Sequence, residues 1–356
     1  MNILFLHKYG RKSASFRCRL EQYLPYFHAA GYCYKIESLL DDAYLTKRFL
    51  TNQRSLLSYV KPLLYRLSLL WRVRQFDLVI IYIDFLPYCP ALFERYLKWL
   101  KIPYIFDYDD AVFHYYDLNT NYLVKLFLAN KFNTVLSCAT HVIGGSEYLV
   151  NYAQQFNKKV SYLPTVLQAQ RYNKVKKFTH KPQPFIIGWI GSPSTTVYLE
   201  LIVPALDYIS QYYDVQLVLI GAKFIKFPDT ISAFIKPWSE QQEIAELLCF
   251  DVGIMPLAND KWSQGKCGFK LIQYMACGLP VIASAVGENN KIVRHGVNGF
   301  LASNIFEWQQ ALECLINDMA LCQAMGRQGR GLFEKYYNLS VTAPKLMAII
   351  NQAIKS

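Results

Sequence analysis

The chain has 356 residues, more than a single hydrophobic core usually organises, so two domains are expected. Apolar residues make up 53% and charged residues 18%, which excludes a disordered chain and leaves enough apolar side chain for two cores. The net charge is +12, and residues 1–75 hold thirteen Lys and Arg against four acidic residues; on charge alone, nucleic acid, an anionic bilayer and a phosphorylated substrate all stay open as partners.

The first apolar run, 3–6, is short and is not followed by a small-residue cleavage pattern, so it reads as a β-strand and not as a signal peptide. Further short runs at 33–36, 78–83, 104–106, 141–143 and 160–163 are each followed by polar or turn residues and an amphipathic stretch. That alternation predicts a doubly wound parallel sheet over residues 1–165. Between residues 43 and 76 there is no acidic residue, and Lys47, Arg48, Arg54, Lys61, Arg66, Arg72 and Arg74 are interleaved with Leu, Tyr, Phe and Trp71. Two readings stand here: a peripheral contact with an anionic membrane, or a helix packed on its own sheet with a basic outer face.

Residues 166–184 turn polar and basic and are read as a linker. Strand-like runs then restart at 185–190, 215–220, 231–235, 252–255 and 281–283, giving a second α/β domain over 185–335. The last segment, 336–356, has a helical pattern from about Leu339 to Ile354 and is expected to pack back on the first domain. Two successive doubly wound domains imply an inter-domain cleft, with ligands at the carboxyl ends of strands. Nowhere do eighteen apolar residues run uninterrupted, so no spanning helix is expected.

Several strand ends carry residue types suited to chemistry. The first strand is followed by a loop with Gly10, and Arg17 and Arg19 follow in the next helical stretch. After 104–106 come Asp107, Asp109 and Asp110, whose mutual repulsion asks for compensating cations or hydrogen bonds. One of them can orient an acceptor hydroxyl or take its proton; capping of a helix by Asp109 or Asp110 is the plainer alternative. His7 and His114 also fall near strand ends, and Ser146 reads as a helix cap. In the second half, the loop after 252–255 contains Gly265, Lys266, Cys267 and Gly268, and a helix is expected from Phe269 with Lys270 and Gln273 on it. Glycine there lets backbone amides approach a ligand, the helix start offers unpaired N–H groups, and two lysines add positive charge. A diphosphate suits that corner; a turning loop with two solvated lysines is the competing account.

The stretch GKCGFKLIQYMACGLPVIASAVGENNKIVRHGVNGFL resembles the donor-binding signature of the family 4 glycosyltransferases. The resemblance implies the GT-B fold, α/β with two facing Rossmann-like domains. Much of that family has two glutamates separated by seven residues in this element. Here Gly265 and Gln273 stand at those positions, as in a bacterial branch with a W-x-x-G-K-C-x-F-K-x-x-Q-Y-M-A pattern. An amide at Gln273 can still exchange hydrogen bonds with a ribose diol. The resemblance further assigns donor contacts to Gly191 and Ser192 in the turn after 185–190, to Trp238 beside the base, and to Gly10 and Arg17 near the phosphates. It implies retaining, metal-independent transfer of a sugar from a nucleoside diphosphate, without a further cofactor, to an envelope or lipid-linked glycan. The rivals are a GT-B epimerase and a catalytically silent membrane-associated subunit.

Nine dispersed cysteines with no C-x-x-C pair point to reduced thiols and a cytoplasmic location, peripheral to the membrane if the 43–76 reading holds. No nucleic-acid recognition motif accompanies the charge, so nucleic acid is not expected as a partner.

Overall fold

The computed structural model describes residues 1–51, 57–178 and 184–355. The chain forms two compact units. The first comprises Met1–Thr165, Gly265–Cys267 and Leu339–Ser356, and the second Val166–Gln264 and Gly268–Asn338.

In the first unit β1 (Asn2–Tyr9), β2 (Cys33–Leu40), β3 (Leu78–Tyr82), β4 (Tyr104–Tyr108), β5 (His141–Gly144) and β6 (Val160–Tyr162) form a parallel sheet in the order β2-β1-β3-β4-β5-β6. The central strands β3, β4 and β5 are buried along their whole length, which is why they read as unbroken apolar runs without alternation. The C-terminal helix Leu339–Ile354 belongs to this unit. It buries Leu339, Ala343, Leu346 and Ile350, which share one helix face. Thr342 Oγ1 on the same helix lies 3.1 Å from Tyr23 OH.

In the second unit β7 (Phe185–Ile190), β8 (Val215–Ile220), β9 (Ala233–Lys236), β10 (Val252–Met255), β11 (Val281–Ser284) and β12 (Gly299–Ala302) form a parallel sheet in the order β12-β11-β10-β7-β8-β9. Trp189, Leu217, Leu219 and Ile254 lie in its core, with Leu312 from the helix Ile305–Asn317. The edge strand β12 is not expected from the sequence. It is only four residues long and opens on a glycine, required because a Cβ at Gly299 would stand 2.0 Å from Val281 O.

The stretch read as a linker is packed. Tyr172 is buried with its hydroxyl donating to Glu243 at 2.6 Å, Lys176 N donates to Cys277 O at 2.8 Å, and Lys176 Nζ pairs with Asp251 at 2.8 Å. Its polarity concealed this, because the packing runs through hydrogen bonds and an ion pair to residues far along the chain. Residues 179–183 of that stretch lie outside the described residues, as does Arg54 of the basic region.

The basic region contributes the helices Asp42–Thr51 and Leu57–Arg72. Arg66 does not join a basic outer face. It is buried, with Nη2 donating to His7 O at 2.7 Å and Glu37 O at 3.0 Å, and burial pushes its guanidinium down to about 10. Among the described residues, no helix is long and apolar enough to cross a membrane.

Candidate functional site at the carboxyl ends of the strands

In both units the residues singled out by sequence collect where parallel strands end. In the second unit β7 ends at Ile190 and the chain turns at Gly191. A Cβ at Gly191 would lie 2.5 Å from the Trp189 ring, and one at Gly221, after β8, would lie 2.4 Å from Gly191 O. Ser192 occupies the N-cap of the 3-10 helix Pro193–Ile202 without a capping side-chain bond; its Oγ pairs with Ser194 Oγ at 2.9 Å, and Thr195 Oγ1 donates to Ser192 O at 3.0 Å. The turn is thus closed by hydroxyls.

The helix Phe269–Ala276 starts at Gly268, whose φ of 64° lies in the left-handed region that glycine reaches without strain. Tyr274 anchors the helix to the sheet: its hydroxyl donates to Ile254 O at 3.1 Å and accepts from Ile190 N at 3.0 Å. Gly253 permits this, since a Cβ there would meet the Tyr274 ring at 2.3 Å. Held so, the helix puts Lys270 Nζ 4.3 Å from the centroid of the Trp189 ring and 3.5 Å from Thr195 Oγ1. The ammonium therefore sits over the turn at Gly191 and Ser192, beside first-turn amides that lack intrahelical partners. Gln273, on the same helix, is buried. The loop after β11 is fixed by Ser284 Oγ accepting from Leu257 N at 2.9 Å and by Asn289 Nδ2 donating to Ser284 O at 3.0 Å. Trp238 stands just beyond β9, its indole N–H donating to Glu243 at 2.8 Å.

In the first unit the loop after β1 is folded onto Asp42, which accepts from Lys12 N at 2.8 Å, and a Cβ at Gly10 would stand 2.6 Å from the same oxygen. Arg17 Nη1 donates to Arg11 O at 2.9 Å and Lys12 O at 3.0 Å, bracing that loop from beneath.

The three carboxylates each have a partner. Asp107 is buried with both oxygens on the Arg19 guanidinium, which also donates to Leu163 O at 2.7 Å. Burial pushes the Asp107 carboxyl up, and the Arg19 guanidinium pulls against it. Asp107, expected from the sequence as a candidate catalytic carboxylate, thus has both oxygens engaged by Arg19. Arg19 is spent on the same pair. Asp109 Oδ1 accepts from Tyr82 OH, and burial followed by the charge of Asp110 pushes the Asp109 carboxyl up to about 6. Asp110 Oδ1 lies 3.2 Å from Lys266 Nζ. Neither Asp109 nor Asp110 caps a helix; the next one, His114–Asp117, has Phe113 at its N-cap.

Gly265–Cys267 lie against this strand end. Cys267 Sγ donates to Asp109 O at 2.8 Å, and Ser146, the N-cap of Glu147–Gln154, also donates to Gly265 O at 3.4 Å. A Cβ at Gly265 would stand 2.4 Å from the Ala111 Cβ, so Gly265 is a glycine of close approach.

Tyr82 is not singled out by the sequence, because it falls inside the apolar run 78–83. The next residue, Ile83, has φ 70°, an outlier for a β-branched side chain, and the buried His7 ring stacks on Tyr82 at 4.2 Å. Burial lowers His7 to about 3, so it is neutral and no acid–base group at ordinary pH.

Residues 184–318 match the family described as Glycosyl transferases group 1. D-inositol 3-phosphate glycosyltransferase of Pseudarthrobacter chlorophenolicus is 29% identical over 101 residues, a match covering 28% of this chain and 23% of that protein, well under two thirds of its length. Among solved structures, HepE of Anabaena in complex with UDP-glucose superimposes with a TM-score of 0.72 at 16% identity, covering 99% of each chain. A glycosyltransferase from Rickettsia africae gives 0.69 at 13% identity over 100% of this chain and 99% of that one. Sucrose-phosphate synthase from Thermosynechococcus elongatus gives 0.67 at 14% over 99% and 98%. The fold is GT-B. The matched stretch contains Gly191, Ser192, Trp238 and the whole helix that carries Lys270 and Gln273.

Proposed function

We propose that the protein is a glycosyltransferase that moves a hexosyl group from a nucleoside-diphosphate sugar to an envelope or lipid-linked glycan, with retention at the anomeric carbon and without a metal at the diphosphate. The observation that carries this reading is Lys270 over the Gly191 turn at the start of the helix Phe269–Ala276, inside the stretch that matches the glycosyltransferase family. Negative charge grows on the leaving diphosphate as the glycosidic bond breaks, and a fixed ammonium beside helix-terminal amides stabilises it most at that moment. Gln273 is assigned to the ribose and Trp238 to the base; UDP-glucose, held by the Anabaena relative, is the first donor to try.

In the transfer, the bond from C1 to the diphosphate oxygen breaks and a bond from C1 to the acceptor oxygen forms on the same face. The acceptor's proton passes to Asp109, whose raised carboxyl makes it a better base than an ordinary aspartate. Asp110 with Lys266, Cys267 and the loop at Gly10 and Arg17 are read as the supports of that end. Nine unbridged cysteines support the cytoplasmic placement.

A panel of nucleoside-diphosphate sugars tests the reading by ligand-induced thermal shift and by release of the nucleotide. Binding and acceptor-dependent release are expected. Conversion of the sugar without acceptor would make the protein an epimerase, and no binding across the panel would make it a silent subunit.

A further inference from the structure

Three helices of the first unit turn apolar side chains outward and cover polar groups beneath. They are Leu57–Arg72, Leu92–Trp99 and Tyr122–Leu128. The first two meet through the segment after β3: Arg66 lies over the Phe85 ring at 5.7 Å, and Phe85 stacks on Phe93 at 3.5 Å. The third follows Tyr116, whose hydroxyl donates to Asp84 at 2.8 Å; Lys131, just beyond that helix, pairs with the same carboxylate at 2.6 Å. Buried charge thus lies under this layer.

The outer side is the reverse. Val60, Leu64, Leu67 and Trp71 recur at helical spacing on one face, and Trp71 is 88% exposed. Leu92 and Trp99 project from the second helix, the latter 72% exposed. In the third only Leu128 is buried, while Tyr122 is 74% and Phe127 73% exposed. Single exposed apolar side chains are ordinary on a protein surface; a set of this size within one layer marks an interaction face.

Charge narrows the partner. Lys61, Arg72, Arg95, Lys98 and Lys125 are exposed among these side chains. The only acidic residue on the three helices is Glu94, and it is buried. Cations interleaved with aromatic rings would suit single-stranded nucleic acid as well. The aliphatic members Val60, Leu64, Leu67, Leu123 and Leu126 offer nothing to a base or a phosphate, but they gain from hydrocarbon.

We propose that this three-helix layer docks on an anionic lipid bilayer, with Trp71, Trp99, Tyr122 and Phe127 at headgroup depth and the lysines and arginines against lipid phosphates. The surface reaches well beyond residues 43–76, and it uses none of the residues assigned to glycosyl transfer, so it stands or falls independently of that reading.

The test is flotation of the full chain with phosphatidylcholine vesicles and with vesicles of phosphatidylcholine and phosphatidylglycerol, with tryptophan emission followed in parallel. Partitioning to the anionic vesicles is expected to exceed that to the neutral ones about tenfold or more, to weaken with salt, and to shift emission to the blue. The double variants W71S/W99S and R95E/K98E are each expected to lose about tenfold or more, with circular dichroism and thermal unfolding unchanged because these side chains are at the surface. No flotation with anionic vesicles at low salt, or unchanged flotation of both variants, overturns the proposal. So does a stable dimer that W71S/W99S dissolves, or a preference for a single-stranded oligonucleotide over the vesicles.

Discussion

The carboxyl end of β4 and the amino end of the helix Phe269–Ala276 handle charge in different ways. The first gathers three carboxylates and gives each its own partner: Arg19 for Asp107, the Tyr82 hydroxyl for Asp109 and Lys266 for Asp110. The second sets one lysine on an indole face and a threonine hydroxyl, with backbone amides alongside. One end is a compensated cluster in which Asp109 is held by a hydroxyl and its two neighbours by cations; the other is a positive corner shaped for an anion. The kind of partner, a cation or a hydroxyl, separates the carboxylate assigned to chemistry from its neighbours, which charge alone does not.

Substitutions can break this contrast. Asp109→Asn removes the one carboxylate assigned a proton-accepting part, and steady-state turnover should fall about 10²–10⁴-fold with thermal stability retained. Turnover unchanged by that substitution would move the base elsewhere. Lys270→Ala should cost about 10²–10³-fold in kcat. Arg19→Met acts on the other kind of residue: it leaves Asp107 buried without its cation, and urea unfolding should show a loss of about 3–5 kcal/mol. A smaller loss of about 1–3 kcal/mol is expected for Gly253→Ala, whose added methyl runs into the Tyr274 ring that seats the Lys270 helix.

The finest distinction is in pH. Asp109 is pushed up to about 6, first by burial and then by Asp110. The folded chain therefore holds this proton more tightly than the unfolded one. Ionising Asp109 lowers stability as the pH rises through about 6, whereas activity that needs the carboxylate rises over the same window. Asp110→Asn removes the second cause and should move the acid limb of the rate profile below its parent position. A limb that stays put would assign it to another group.

Much of this arrangement was legible in the sequence. Buried parallel strands write themselves as short apolar runs, and the helix Phe269–Ala276 follows a glycine and stops at another. β12 escaped because an edge strand of four residues beginning on glycine has neither length nor alternation. The segment 166–178 escaped because its packing runs through hydrogen bonds of Tyr172 and Lys176 to residues far along the chain. The same limit hid the sorting of the three aspartates. Spacing shows that carboxylates crowd together, but Arg19 is 88 positions from Asp107 and Lys266 is 156 from Asp110, separations at which no local pattern assigns a partner. Direction was equally hidden in Leu57–Arg72: composition counts Arg66 among the basic residues, and only the fold shows it facing inward while Trp71 faces out.

Ile83 holds a left-handed backbone conformation between Tyr82, which binds Asp109, and Asp84, which takes Lys131. Such a conformation in a β-branched residue stores on the order of 1–3 kcal/mol. To anyone engineering the protein for heat tolerance, this position would present itself first, since a glycine there relaxes the chain. The gain would be drawn from the bend that aims a tyrosine at the assigned base, so a sturdier catalyst made this way should also be a slower one.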